Sequence, residues 1–90
     1  MKVTFDPDKR ARTLAVRGLD MADAAKVFEG LHPTFEDRRH DYGEDRWVTF
    51  GYLAGRLVAF AWTPRADGVR IISLRKANER EEKRYGARLR

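Results

Sequence analysis

Between Arg46 and Leu74 the chain reads RWVTFGYLAGRLVAFAWTPRADGVRIISL, and this stretch limits what the protein can become. Arg46–Leu53 alternates, with Trp47, Thr49, Gly51 and Leu53 on one side and Arg46, Val48, Phe50 and Tyr52 on the other. That period of two predicts a strand. Ala54-Gly55 is a turn signal. Leu57–Thr63 is apolar almost throughout, as a central strand covered on both faces must be. Pro64 is expected to end it, and Asp67-Gly68 marks a hairpin into a third strand, Val69–Leu74. Three strands joined by tight turns form an antiparallel meander, and the rest of the chain must cover it.

The N-terminal half supplies the cover. Val3–Phe5 is a short strand candidate, and Thr34–Asp37 another. Asp6 before Pro7 gives an N-cap followed by proline at the first helical position, predicting a helix to about Arg17 with Ala11, Leu14 and Ala15 on one side and Gly18 as its stop. Asp20 caps a second helix in which Met21, Ala24, Ala25 and Phe28 recur at helical spacing, ended by Gly30. After Leu74 come Arg75 and Lys76, the latter expected to open a C-terminal helix. From Lys76 to Arg84 the only apolar residue is Ala77; such a helix frays alone and needs a partner or the docking of Tyr85 and Leu89. The order β-α-α, three- to four-stranded meander, helix predicts one α+β domain spanning 1–90, with helices on one face of a twisted sheet.

Several chemistries find no residues here. There is no cysteine, which removes disulfides and thiolate zinc sites. His32 and His40 sit in a polar loop without a ligand partner, so no metal is expected. Ser73 alone inside a strand makes no triad, and the seven glycines are scattered at turns rather than gathered into a phosphate loop. The second helix opens with acidic residues where a DNA-reading helix would need base contacts. The start MKVTFDPDKR turns polar too soon for a signal peptide, and no apolar run approaches a membrane span. A cytoplasmic protein without a cofactor is expected.

Charge is unevenly spread. Residues 1–45 hold 8 Lys/Arg against 10 Asp/Glu, a net −2; residues 46–90 hold 11 against 4, a net +7. The basic half contains Arg46, Arg70, Arg75 and Lys76, with Arg46 and Arg75 expected at one end of the meander and Glu44 beside Arg46. Clustered arginines with few histidines suit RNA cleavage by its own 2′-hydroxyl. That reaction needs cations for the phosphate and its transition-state charge, plus a base and an acid. Glu44 is the base candidate; Tyr85 and His40 are acid candidates.

The motifs Gly43-Glu44-x-Arg46 with Gly51, then Arg70-Ile71-Ile72-Ser73-x-Arg75-x-Ala77 with Glu81, then Tyr85, resemble the BrnT family, toxins of BrnT/BrnA type II toxin–antitoxin modules. FDPDK at Phe5–Lys9 and Gly18 fit as well. The resemblance implies a RelE-like fold and a ribonuclease that blocks translation; with the arginine-rich, metal-free site read above, a metal-independent endoribonuclease is expected. It also implies a BrnA-type antitoxin partner, through which alone promoter DNA is bound, and oligomers in the complex. Catalytic roles then fall to Glu44, Arg46, Arg75 and Tyr85, and RNA binding to Lys9, Arg17, Arg70 and Lys76. One departure stands out. Where the family usually has Asn-x-x-Lys-His-Gly, this chain has Thr13, Val16, Arg17 and Gly18, which removes a lysine and a histidine suited to proton transfer. A non-catalytic binding subunit of a toxin–antitoxin-like repressor complex is the alternative.

Overall fold

The computed structural model describes residues 1–89. In chain order these form β1 (Lys2–Thr4), α1 (Pro7–Arg17), a 3-10 turn (Met21–Asp23) running into α2 (Ala24–Val27), β2 (Thr34–Glu36), β3 (Trp47–Leu53), β4 (Arg56–Arg65), β5 (Gly68–Lys76) and α3 (Glu79–Leu89). One five-stranded sheet has the order β1-β5-β4-β3-β2. The architecture is α+β, as the sequence predicts, and β4 is the central strand, with Leu57, Val58, Ala59, Phe60 and Thr63 buried.

Turn chemistry sets the register. Leu53 pairs with Arg56 across Ala54 and Gly55, both at positive φ (50° and 78°), the backbone that a two-residue hairpin of the right twist requires. The second hairpin differs from its expected form. Pro64 does not end β4; it pairs with Val69, and Arg65 pairs with Gly68, so Ala66-Asp67 is the loop. A proline next to a hairpin end is tolerated because little ladder remains to interrupt. Gly68 is needed for a different reason: a Cβ there would run into the Lys2 backbone. β1 lies parallel to β5, pairing Lys2 with Gly68 and Thr4 with Arg70.

A register shift occurs opposite Ala61/Trp62: Trp62 pairs with Ile71 but Ala61 with Ser73, leaving Ile72 as the extra residue of a bulge. The bulge resets the alternation of β5. Val69, Ile71 and Leu74 point into the core with Val58 and Phe60, while Arg70, Ser73 and Arg75 all point to the other face.

The helices occupy both faces, not one. A Cβ on Gly51 would meet Val27 of α2, whereas the hydroxyl of the next residue, Tyr52, donates to the Gly86 carbonyl of α3 at 3.2 Å. Neighbouring strand residues point oppositely, so α2 and α3 lie on opposite sides of the sheet. The core side packs Leu19, Met21, Ala24 and Val27 on the sheet, with Phe28 edge-on to Phe60 and Trp62. The second helix is shorter than its spacing suggests, one 3-10 turn and one α-turn.

α1 also departs from expectation. Asp6 caps it, accepting from the Asp8 and Lys9 amides, and Gly18 closes it at φ 69°. Yet none of its residues is buried, and Leu14 is 48% and Val16 76% exposed. α1 is tied to the sheet by polar bonds instead. β1 is only three residues long, so β5 beyond Arg70 has an open edge. Lys9 Nζ donates to the Ile72 carbonyl at 3.0 Å, and an Arg17 guanidinium NH₂ donates to the Leu74 carbonyl at 2.7 Å. Two cations thereby blunt an edge strand.

Candidate nucleic-acid interface

The sheet face opposite the main core carries the candidate site. Its middle is a shallow floor of Val48, Ala59, Ala61 and Ser73, with Arg75 and Arg39 on the rim. Small side chains on β4 leave room there. Cations gather at both ends of this floor, and the sequence-derived candidates divide between the two ends.

At one end stands Arg75. Its guanidinium donates to both carboxylate oxygens of Glu81, at 2.7 and 2.9 Å. Glu81 is itself fixed by the start of α3: its carboxylate accepts from the Asn78 amide, and Asn78 Oδ1 accepts from the Glu81 amide, both at 2.9 Å. This reciprocal pair is a capping box. It places the helix start at Asn78, so Lys76 is the last residue of β5 rather than the opening of the helix. Hydrogen bonding from Arg75 lowers the Glu81 pKa, and the same bond raises that of Arg75. Arg75 keeps 43% of its side chain exposed. Arg17, Val16 and Lys76 line a cleft with it. Arg39 is close enough to push against Arg75 by like-charge repulsion.

Tyr85, one turn beyond Glu81 on α3, stacks on Phe50 with ring centroids 4.6 Å apart and contacts Phe35 at 5.9 Å. Phe50, Ala59 and Arg75 form one row across β3, β4 and β5, so Tyr85 and Arg75 share a face and an end. Tyr85 docking, one of the two supports expected from the sequence, holds this polar helix together with the Arg75–Glu81 pair and the Tyr52–Gly86 hydrogen bond.

Glu44, Arg46 and Arg70 lie at the other end. The expectation that Arg46 and Arg75 share one end is overturned. In a meander the first and third strands run the same way, so the start of one lies level with the start of the other. Arg46 precedes Trp47, whose row runs through Trp62 to Ile71; the next row joins Thr63 to Arg70. Ala59 and Thr63 are four residues apart on β4, so the two ends are separated by about 13 Å at ~3.3 Å per residue. Glu44 and Tyr85 are therefore not an acid–base pair around one atom. Lys9 lines the cleft that holds Glu44, Arg46, Thr63, Arg65 and Arg70.

Glu44 bonds Arg65 at 3.5 Å, and hydrogen bonding from Thr63, with Arg65 and Arg46 nearby, lowers its pKa. It is a carboxylate at neutral pH and a weak base. The Arg46 guanidinium lies over the Tyr42 ring at 3.8 Å, and its Nε is buried without a hydrogen-bond partner among the described residues. The Arg70 side chain has no ion pair or hydrogen bond among the described residues. His40 is exposed and edge-on to Tyr42 at 5.7 Å.

Sequence reasoning missed the loop that joins both ends. The buried Asp37 carboxylate accepts two bonds from Arg39, each 2.9 Å, and one from the Tyr42 hydroxyl at 3.3 Å. Bonds from Arg39 hold its pKa well below the usual carboxylate range. One carboxylate thus positions Arg39 near Arg75 and, through Tyr42, the platform under Arg46. The spacing Asp37, Arg39, Tyr42, Arg46 carries no period that would reveal this. The Asn78-x-x-Glu81 box was readable and would have shown where α3 begins.

Among the described residues no His, Asp or Glu group is arranged to hold a metal, and no helix is long and apolar enough to cross a membrane. No curated protein matches the chain. A family model described as "Ribonuclease toxin, BrnT, of type II toxin-antitoxin system" matches residues 5–81, a span that includes Glu44, Arg46, Arg70, Arg75 and Glu81 and stops short of Tyr85. The chain belongs to the BrnT family of ribonuclease toxins, whose type II systems pair each toxin with an antitoxin protein.

Proposed function

We propose that the chain is a metal-independent endoribonuclease of RelE-like fold that blocks translation by cutting RNA at Arg75. The observation that carries this reading is the Arg75–Glu81 pair. It aims a half-exposed guanidinium, fixed at two points, across an open floor, with Arg17, Lys76 and Arg39 around it. A rigid cation facing others of its kind is stabilised by an anion, and more so by the extra charge of a phosphorane-like transition state.

In the proposed reaction the RNA 2′-oxygen bonds to the adjacent phosphorus as the bond to the 5′-oxygen breaks. Arg75 holds the non-bridging oxygens, and Arg17 and Lys76 add field. The 2′-hydroxyl proton leaves to solvent, and Tyr85 offers a hydroxyl for the departing 5′-oxygen. Glu44 stands at the far end, about 13 Å away on strand geometry, and contributes no proton step at Arg75. Glu81 is a positioning residue. The products are a 2′,3′-cyclic phosphate and a 5′-hydroxyl. End-group analysis of cleaved RNA tests this: a 5′-phosphate end contradicts it.

The partner in this reading is a BrnA-type antitoxin that covers the basic face, and promoter DNA is reached only through that antitoxin. One observation favours the binding-subunit alternative. Arg17 is bonded to the Leu74 carbonyl, and Val16 is an exposed aliphatic side chain, so this corner has no lysine–histidine pair. RNA binding without cleavage is its signature.

A further inference from the structure

We infer that the cleft where Arg46, Arg65 and Arg70 converge is a second phosphate subsite, which holds a different backbone phosphate of the same single RNA strand as the one at Arg75. The inference rests on the ribonuclease reading and adds the form of its substrate: a single strand laid along β5, contacted at two phosphates.

Three observations carry it. First, the cleft is cationic beyond its own needs. Lys9, Arg46, Arg65 and Arg70 line it against Asp6 and Glu44, and Glu44 pairs with Arg65. The Arg70 side chain points onto the open face without an ion pair or hydrogen bond among the described residues. Second, Arg46 is preorganised and unsatisfied. Tyr42 holds its guanidinium at 3.8 Å, yet its buried Nε has no acceptor among the described residues. A buried N–H is normally paired, and an anion oxygen entering the cleft supplies the missing acceptor. Third, geometry separates this site from Arg75. The Thr63–Arg70 row and the Ala59–Arg75 row lie on one face, about 13 Å apart by strand rise. Each guanidinium is pinned at its own end, Arg46 by Tyr42 and Arg75 by Glu81, so one phosphate cannot satisfy both. The floor between them is Ala59, Ala61 and Ser73, small enough for a sugar–phosphate chain to pass over.

A single strand also fits the chemistry. In-line attack needs the 2′-oxygen, phosphorus and 5′-oxygen aligned, which a stacked duplex prevents. A strand held at its scissile phosphate and at one other is free to adopt that alignment.

The test uses the full chain and a fluorescent, random-sequence hexanucleotide with 2′-O-methyl sugars, which binds but cannot be cut. Anisotropy gives the slope of log affinity against log salt. Each phosphate contact on a single strand contributes about 0.7 to that slope. Arg70→Ala and Arg75→Ala should each flatten it by about 0.7, and the double variant by about 1.4, because the two contacts are independent. Arg70→Lys should keep the wild-type slope, and thermal melts identify any variant that has lost its fold. A double variant no flatter than either single variant puts both arginines on one phosphate and overturns the inference. So does an Arg70→Ala slope equal to wild type, or a wild type that does not bind the oligomer. If wild type binds with the expected additive losses but does not cut unmodified RNA, the two-phosphate track stands and the ribonuclease reading falls.

Discussion

Replacing Glu81 by alanine removes two things at once, and the structure allows them to be separated. Glu81 closes the capping box with Asn78 and grips Arg75 through both oxygens. Losing half of a capping box costs about 0.5–1 kcal/mol. The ion pair joins side chains that are 43% and 17% exposed, so solvent screening limits it to about 1 kcal/mol despite its bidentate geometry. Glu81→Ala should therefore cost about 2 kcal/mol, or a fall in Tm of roughly 10 °C for a domain of this size. Asn78→Ala removes the other half of the box and leaves the Arg75 pair, so it should cost only about 1 kcal/mol.

The pH dependence has a fixed sign. Folding lowers the Glu81 pKa below its ordinary 4.5, so the unfolded chain takes up the proton first as pH falls. The stability Glu81 supplies is fully present above pH 4.5 and is lost as pH drops through the lower folded value. Urea melts of wild type, Glu81→Ala and Asn78→Ala at neutral pH and at about pH 3 measure all of this. A Glu81→Ala loss equal to that of Asn78→Ala, or a difference unchanged in acid, refutes the idea that Arg75 is held by this carboxylate. With Arg75 released, RNA cleavage should also fall about tenfold, as expected when a transition-state contact loses its orientation.

Three further outcomes follow from particular contacts. Gly68→Ala puts a methyl group into the Lys2 backbone and should cost about 2 kcal/mol or more by displacing β1, read as a lower urea midpoint. Asp20 has its pKa lowered to about 2, chiefly by its hydrogen bond from Arg10; its contribution is present above 3.8 and lost as pH falls through about 2, so Arg10→Ala should narrow the acid tolerance of folding seen in a pH titration by circular dichroism. Val16→Lys adds a cation to the cleft shared by Arg17, Arg75 and Lys76 and should steepen the salt dependence of RNA binding by about 0.7, measured by anisotropy.

The meander was legible because its signals are local. Alternation from Trp47 to Tyr52, an unbroken apolar run on β4 and two tight turns leave few alternatives, and the sheet follows. What escaped was set by contacts distant in sequence. β1 beside β5 depends on Gly68 meeting Lys2, whereas from sequence Gly68 reads as a turn glycine. α1 looked amphipathic, but Leu14 faces solvent and the helix is held by Lys9 and Arg17 bonded to an open strand edge. Those two residues, expected to bind RNA, have structural bonds that composition cannot reveal.

The site was half legible. Arg46, Arg70 and Arg75 are candidates from the sequence and all reach one face, but for Arg70 and Arg75 only the bulge at Ile72 makes that so. The uneven spacing of Val69, Ile71 and Leu74 is its trace in the sequence: a strand with steps of two and then three in its apolar positions needs an extra residue. The meander suggests Arg46 beside Arg75, but its first and third strands run the same way, and pairing places Arg46 beside Arg70. Arg39 and Asp37 were missed because a buried carboxylate in a polar loop looks like any other loop residue.

The most direct test of the central claim follows cleavage of a labelled RNA by the purified chain in excess EDTA, beside Arg75→Ala. Cleavage should survive the chelator and fall at least a hundredfold in the variant, consistent with loss of one charged transition-state contact. Cleavage that stops in EDTA, or that Arg75→Ala leaves unchanged, contradicts the claim.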